Sequence, residues 1–205
     1  WMALVGLVIG LFARYFYRLW CRIKKYPLFE HEQLRSAGVY QHSFQSLLRY
    51  YETQKYPTYC GVASITMVLN CLVPEDEKPI LDLHPGQPFF SQDNIFNEAV
   101  LEKDILEENI KKNGLTLLQM MDIADCYQCQ SEVIYSNQLS KQQLLDRLIA
   151  SLIDVDCFII VNYDRAVLSQ KGRGHFSPIG AYDSRRQLVL ILETSRYRYG
   201  PQWVP

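Results

Sequence analysis

The sequence lacks an excess of positive charge. Its 205 residues include 21 lysines and arginines against 22 aspartates and glutamates, which gives a formal net charge of −1. Surfaces that bind nucleic acid are usually strongly basic, so this balance argues against nucleic acid as a partner. The sequence also has no internal repeat or low-complexity tract, and 48% of its residues are hydrophobic. These properties indicate a globular domain with its own core.

The six cysteines show no regular framework. Small secreted domains use dense sets of cysteines as disulfides, and this sequence has no such set, so we expect mostly reduced thiols. Cys126 and Cys129 form a C-x-x-C pair, but no second pair or nearby histidine in the sequence completes a zinc site. We therefore interpret the pair as ordinary thiols.

The apolar run at the amino end is short for a membrane span. Residues 1–13 are uncharged but fall short of the ~20 residues that a crossing needs. With the aromatic stretch after Arg14, the segment could cross obliquely or lie at the interface. Basic residues follow it, so the positive-inside rule predicts an anchor over 1–25 and a cytoplasmic catalytic part over 26–205. A cleaved signal peptide, with export to the periplasm, is the alternative.

Hydrophobic periodicity and turn-forming residues predict a mixture of helices and strands. Apolar positions recur at helical spacing over 61–73, and Pro74 ends that helix. The proline-rich stretch 74–90 is predicted to be a loop. Further helices are predicted over 94–113, 116–125 and 141–152, and strands over 131–135 and 156–163. Residues 174–182 and 187–194 flank the turn-like sequence DSRR, which predicts a β-hairpin centred at 184–185.

The sequence YPTYCGVAS places Cys60 where a turn gives way to a helix. If Cys60 opens the helix, unpaired N–H groups and the helix dipole favour its thiolate, which is the nucleophilic form. Gly61 would leave room for a substrate carbonyl, and the N–H groups there would hold an oxyanion. Gln54, six residues earlier, is a second candidate oxyanion donor through its amide. A buried structural thiol is the alternative for Cys60.

Of the histidines, His175 alone lies on a predicted strand. A hairpin turn centred at 184–185 places Glu193 opposite His175 or one register step away. A carboxylate there would fix the imidazole tautomer and stabilise the imidazolium, which gives Cys60, His175 and Glu193 as nucleophile, base and orienting acid. Two alternatives stay open: a core histidine with no catalytic role, and an ion pair of Glu193 with Arg196.

Three stretches resemble the amino-terminal catalytic domain of phytochelatin synthase: YYETQKYPTYCGVASITMVLN, GRGHFSPIGAY and LVLILETSRYRYGPQWVP. The similarity is clear over about 47–72 and 163–205 and loose between them. The cysteine motif alone is shared with other papain-like enzymes. The pattern GHFSPIG, followed by a strand and R-x-x-Y-x-P-x-W-V-P, is highly specific.

The resemblance implies an α+β, papain-like cysteine peptidase fold, in which a helical part carrying the cysteine packs on an antiparallel sheet carrying the histidine and the acid. It also implies attack on the Cys–Gly bond of glutathione. Glycine leaves, and a γ-glutamylcysteinyl thioester forms on Cys60. Transfer to a second glutathione gives phytochelatin, and transfer to water is hydrolysis.

Position by position, Cys60 matches the family nucleophile, His175 the histidine and Gln54 the oxyanion glutamine. The acid of the family is usually aspartate, whereas this sequence has Glu193. One extra methylene still allows contact with the histidine if the strands shift slightly, so we expect activity at a reduced level.

The candidate substrate-binding residues are Gly61, Gly174, Arg196 and Tyr199. The last two match family residues that help hold the γ-glutamyl donor. The sequence stops at 205, where family catalytic domains continue, so a fragment is one interpretation. The cysteine-rich carboxyl-terminal region of the plant enzymes is absent from it, and similarity to short prokaryotic relatives leads us to expect hydrolysis over polymerisation.

No built-in cofactor or metal site is expected, because in the family heavy metals such as Cd and Zn enter as glutathione thiolate complexes. The expected partners are glutathione, its metal complexes and a membrane, and a homodimer is left open. Two other function classes remain as alternatives. One is a papain-like leader-peptide protease, and the other is a non-catalytic thiol- or metal-binding module.

Overall fold

The computed structural model describes residues 4–9, 34, 38–81 and 84–205, with the backbone alone for 4–9, 81 and 84–87. These residues form an α+β structure of helices and a largely antiparallel sheet, in agreement with the predicted class. The helices are α1 (His42–Arg49), α2 (Cys60–Leu72), α3 (Glu98–Glu102), α4 (Glu107–Asn113), α5 (Leu117–Cys126) and α6 (Lys141–Ile153). The strands are β1 (Leu4–Ile9), β2 (Val39–Tyr40), β3 (Ile80–Leu81), β4 (His84–Pro88), β5 (Gln130–Tyr135), β6 (Phe158–Asp164), β7 (Gly174–Asp183), β8 (Leu188–Ile191) and β9 (Gln202–Val204).

The main sheet has the strand order β5-β1-β6-β7-β8-β9, and β2 pairs with the end of β7. Strand β1 runs parallel to β5 and β6, and the other pairs in this sheet are antiparallel. The long strand β7 is central. Its first half pairs with β6, and its second half pairs with β8. The first residues of β7 therefore lie beside the end of β6, which is where the site forms.

Helix α2 is the buried helix of the domain. Its residues from Cys60 to Asn70 are all buried, and they are apolar on nearly every face. A helix that is hydrophobic all round belongs in a core, and α2 packs against β7 and α5 accordingly. It ends at Leu72, one residue earlier than predicted and two before Pro74. Burial of its first turn fixes Cys60 relative to the sheet.

Two predicted elements were wrong in detail. The predicted helix over 94–113 is broken into α3 and α4, because Asp104 adopts a left-handed backbone with φ of 61°. The predicted loop 74–90 contains a short 3₁₀ turn, Glu75–Glu77, and the β3–β4 pair. The predicted helices 61–73, 116–125 and 141–152 and strands 131–135 and 156–163 are present within two residues of their expected bounds.

The hairpin register also differs from the prediction. Asp183 pairs with Leu188, which centres the turn at 185–186 instead of 184–185. The register then shifts between Ile179 and Ala181. Strand β8 ends at Ile191, so Glu193 lies beyond the strand instead of within it. A β-bulge bends a strand, so simple counting from the turn does not hold across it.

The predicted anchor over 1–25 is only partly described. Leu4–Ile9 form β1 in the sheet, and the remaining residues of that segment lie outside the described residues. None of the helices in the described ranges combines the length and the apolar content that a bilayer crossing requires. The anchor stays a prediction.

Asn70 connects α2 to the segment before α3. Its amide Nδ2 donates to the carbonyls of Thr66 and Phe90, at 3.1 and 2.8 Å, and its Oδ1 accepts from the Phe90 N–H at 2.9 Å. The side chain is buried, so both backbone groups of Phe90 depend on it in place of water.

We predict that Asn70→Leu lowers the free energy of unfolding by about 2 kcal/mol or more, because it leaves two buried backbone groups unpaired. Urea denaturation followed by circular dichroism measures this. The matched control is Thr66→Val, whose hydroxyl donates only to a carbonyl of its own helix, and it should cost less than about 1 kcal/mol. Equal losses in the two variants would contradict the prediction.

Candidate active site

Cys60 is the first residue of α2, which begins one residue before the predicted start of this helix. Cys60 is 9% exposed, and the groups that act on the pKa of its thiol are His175 and the backbone N–H groups of Phe176 and Gly61. Burial alone would raise the pKa of the thiol, but the hydrogen bond and charge of His175 and the two N–H groups outweigh it. The pKa of Cys60 therefore lies below its ordinary value, and the thiolate is favoured.

His175 is the second residue of β7, and its ring is buried between Cys60 and Glu193. Nε2 lies 2.5 Å from Oε1 of Glu193, which leaves Nδ1 as the nitrogen available to the thiol. Burial would lower the pKa of His175. The hydrogen bonds to Cys60 and Glu193, together with their charges, raise it above its ordinary value instead. The two shifts together favour a thiolate–imidazolium pair.

The carboxylate of Glu193 is fully buried and has four hydrogen-bond donors. Oε1 accepts from Nε2 of His175 at 2.5 Å, from a guanidinium N–H of Arg165 at 2.8 Å and from the Ser195 N–H at 2.7 Å. Oε2 accepts from the Tyr163 hydroxyl at 3.2 Å. Burial raises the pKa of Glu193, but His175, then Arg165 and the Ser195 N–H, lower it by more. The group is therefore ionised although it is buried.

Arg165 is the charged residue of this cluster that the sequence analysis did not predict. Arg196, the alternative partner of Glu193, is exposed and stacks on the ring of Tyr51 with its guanidinium 4.7 Å from the ring centre. A signal was present, because a buried carboxylate needs a cation. Arg165 lies two residues beyond the strand predicted over 156–163, and in the structure that strand pairs with the strand of His175.

The orientation of Gln54 disagrees with its predicted role as an oxyanion donor. Its buried amide Nε2 donates to the carbonyls of Tyr56 and Pro57, at 2.8 and 2.9 Å. Its Oε1 accepts from the hydroxyls of Ser195 and Thr194, at 2.7 and 3.2 Å. Carbonyls can only accept, so the amide cannot be flipped. In this structure Gln54 ties the loop before Cys60 to the segment after Glu193.

Gly61 was predicted to leave room for a substrate carbonyl, and the structure shows a packing reason for glycine at this position. A Cβ there would lie 3.0 Å from Cβ of Leu115 and 3.1 Å from Cε of Met120, so the glycine allows α2 to approach α5 closely. Its N–H helps to lower the pKa of the Cys60 thiol.

A cleft of about 300 Å³ opens beside Cys60 and His175. One wall comes from the segment around Cys60 and from 113–115, and the other comes from 171–176 and the segment after Glu193. None of the described residues that line it is acidic, and four are cationic: Arg165, Lys171, Arg173 and Arg198. The cleft can therefore attract an anion although the net charge of the chain is close to zero.

Of the predicted substrate-binding residues, Gly174 lines this cleft. Tyr199 is not among the described residues that line it. The guanidinium of Arg165 stacks on the ring of Tyr199, 5.2 Å from the ring centre. The Tyr199 hydroxyl accepts from the Lys171 N–H at 2.9 Å. Arg196 is not among the residues that line the cleft, whereas its neighbours Tyr197 and Arg198 are.

Comparison with known proteins identifies relatives that match most of the chain. Glutathione gamma-glutamylcysteinyltransferase 3 of Lotus japonicus is 38% identical over 162 residues, which cover 79% of this chain and 32% of the relative. Glutathione gamma-glutamylcysteinyltransferase 2 of Arabidopsis thaliana is 33% identical, with coverage of 79% and 34%. The Schizosaccharomyces pombe enzyme of the same name is 25% identical, with coverage of 79% and 37%.

The chain spans about a third of the length of these curated relatives. The family model described as phytochelatin synthase matches residues 30–205. Since this match includes every residue of the cluster around Cys60, His175 and Glu193, the chain belongs to the phytochelatin synthase family.

Proposed function

We propose that this chain is the catalytic domain of a glutathione γ-glutamylcysteinyltransferase-like cysteine peptidase, which cleaves the Cys–Gly bond of glutathione. The observation that carries the proposal is the buried Cys60–His175–Glu193 cluster beside a cationic cleft. Family membership and the names of the relatives support glutathione as the substrate. We further propose a papain-like fold, in which α2 carries the nucleophile and packs on β7.

In the acylation step, the Cys60 thiolate attacks the carbonyl carbon of the cysteinyl residue of glutathione. The developing oxyanion is stabilised by N–H groups at the amino end of α2, which lack partners within the helix. The imidazolium of His175 gives its Nδ1 proton to the glycine nitrogen as the C–N bond breaks. Glycine leaves, and a γ-glutamylcysteinyl thioester remains on Cys60.

In the second step, His175 is neutral and acts as the base. It removes a proton from water or from the amino group of a second glutathione, which attacks the thioester carbonyl. The C–S bond breaks, and the thiolate is restored beside the imidazolium. Water gives γ-glutamylcysteine, and glutathione gives the lengthened peptide. Glu193 stays ionised throughout and orients the ring.

The charge of the cleft suits this substrate. Glutathione carries two carboxylates and one ammonium group, and Lys171, Arg173 and Arg198 are exposed cations at the cleft. We propose that they hold the carboxylates, with metal–glutathione thiolates as substrates of the same site. We also propose a membrane tether over 1–25 and a cytoplasmic catalytic part, with periplasmic export as the alternative. A homodimer is a further proposal.

The direct test of the proposal is mass spectrometry of the full chain mixed with glutathione, with and without cadmium. We expect a γ-glutamylcysteinyl adduct on Cys60 and release of free glycine, and both should be absent in Cys60→Ser. A linear peptide of leader type serves as the comparison substrate. Glycine release by Cys60→Ser, or cleavage of that peptide in place of glutathione, would contradict the proposal.

The lowered pKa of Cys60 gives a prediction for alkylation. Burial raises the pKa of Cys71 to about 12 and that of Cys129 to about 11, whereas the Cys60 thiolate persists to lower pH. The ratio of the iodoacetamide rate at about pH 6.5 to that at about pH 9 should be at least tenfold higher for Cys60 than for these two thiols.

Peptide mapping after timed alkylation measures the ratio. Because each ratio compares one thiol with itself at two pH values, differences among the cysteines in accessibility to iodoacetamide cancel. His175→Gln removes the main stabilising partner, so Cys60 should then follow the ordinary pH dependence of a thiol. A ratio that is the same for all three cysteines in the unsubstituted chain would rule out an activated thiolate.

Substitution of Glu193 tests the orienting role. Glu193→Gln keeps the size but removes the charge that stabilises imidazolium, so we predict a loss of about 100-fold or more in kcat for glycine release. Glu193→Asp keeps the charge one methylene farther back and should lose less, about tenfold. Circular dichroism checks that both variants are folded. Turnover by Glu193→Gln at the unsubstituted rate would exclude Glu193 from the triad.

A further inference from the structure

Arg165 contacts both members of the acid–histidine pair. One terminal guanidinium nitrogen lies 2.8 Å from Oε1 of Glu193 and also 2.8 Å from Nε2 of His175. The other donates to Oε1 of Gln170 at 2.9 Å. Arginine only donates and a carboxylate only accepts, so Nε2–H and the guanidinium both donate to the same oxygen. Their close approach to each other is a consequence of that shared acceptor.

The fold holds this guanidinium in a built site. Arg165 is 4% exposed, and the loop that follows it closes on itself: its N–H donates to the Arg173 carbonyl and its carbonyl accepts from the Gln170 N–H. The guanidinium stacks on the ring of Tyr199. A Cβ on Gly172 would lie 2.9 Å from Cδ of Arg165, and φ of 118° there also requires glycine. The first glycine of the GRG sequence thus makes room for Arg165.

We propose that Arg165 is a positioning residue of the Cys60–His175–Glu193 triad: it clamps the Glu193 carboxylate against the imidazole, and its charge limits how strongly His175 retains a proton. The proposal rests on the proposed function for its kinetic test. Nothing in it requires Arg165 to touch glutathione.

The charges around His175 explain why Arg165 limits how strongly His175 retains a proton. The groups that face or adjoin it are the Cys60 thiol, the Glu193 carboxylate, the Arg165 guanidinium and the ring of Tyr163, whose hydroxyl donates to Glu193. With Arg165 present, loss of the imidazolium proton leaves one cation beside one buried carboxylate. Without it, the same step leaves the buried carboxylate uncompensated, so His175 keeps its proton to higher pH. The neutral base that the second step needs then becomes scarcer.

The test compares Arg165→Gln, which removes the charge, with Arg165→Lys, which keeps it. The alkaline limb of kcat/KM for glycine release should move up by about one pH unit or more in Arg165→Gln and stay in place in Arg165→Lys. S-methylglutathione is the substrate, because its thioether does not titrate. The second readout is the NMR titration of the His175 Cε1 proton, assigned with His175→Gln, and it should shift in parallel.

Gln170→Leu is the matched control, since it removes the other hydrogen bond of Arg165 and leaves the charge. Its thermal stability should fall while the limb and the NMR titration stay in place. If Arg165→Gln does not fold, Arg165→Lys and Gln170→Leu still decide: a limb that moves in either variant overturns the role of the charge. A rise in KM alone, or a loss of stability alone, in Arg165→Gln would also overturn the proposal.

Glycine release and the His175 titration together distinguish a failure of the proposed function from a failure of the positioning role of Arg165. If the unsubstituted chain releases no glycine but the His175 titration shifts in Arg165→Gln, the positioning role stands and the proposed function fails. If glycine is released normally and neither readout moves, the proposed function stands and the role of Arg165 is wrong.

Discussion

The site depends on one buried carboxylate. Glu193 has no exposure to solvent, and an unpaired ion in that position would cost several kcal/mol, so its charge exists only because protein groups replace water. Its donors come from β6, from the turn after β6, from β7 and from the segment after β8. The carboxylate is therefore satisfied only when these pieces of the sheet are assembled. The same bonds that satisfy it also orient the imidazole.

The helical part is connected to the segment around Glu193 by Gln54, in addition to the pairing of Cys60 with His175. The amide of Gln54 joins the carbonyls of the loop before α2 to the hydroxyls of Thr194 and Ser195, next to Glu193 in the chain. Its backbone N–H also donates to the Thr194 carbonyl at 3.0 Å. Nucleophile and base lie on different elements, so their distance is set by such cross-links. Gly61 adds to this by allowing α2 to seat closely against Leu115.

Local patterns predicted the parts of the site but not all of their contacts. The placement of Cys60 at the start of α2 and of His175 on a strand followed from periodicity and turn residues, which are local signals. The nearness of Glu193 was predicted from a hairpin count that proved wrong by about two residues, because the bulge near Gly180 and the early end of β8 return the chain to His175 by another route. The orientation of Gln54 and the packing of Gly61 depend on distant residues, which spacing does not encode. Arg165 needed the β6–β7 pairing together with the rule that a buried anion requires a cation.

The mechanism depends on donation from Nε2–H of His175 to Glu193, which leaves Nδ1 for the thiol. The contact of Arg165 with the same nitrogen allows one alternative. In that alternative Nε2 is unprotonated and accepts a hydrogen bond from the guanidinium. The ¹⁵N chemical shifts of the His175 ring, measured at neutral pH on labelled protein, distinguish the two. We predict a protonated Nε2. An Nε2 shift typical of an unprotonated nitrogen, with the ring proton on Nδ1 facing Cys60, would leave the thiol without a base and contradict the mechanism.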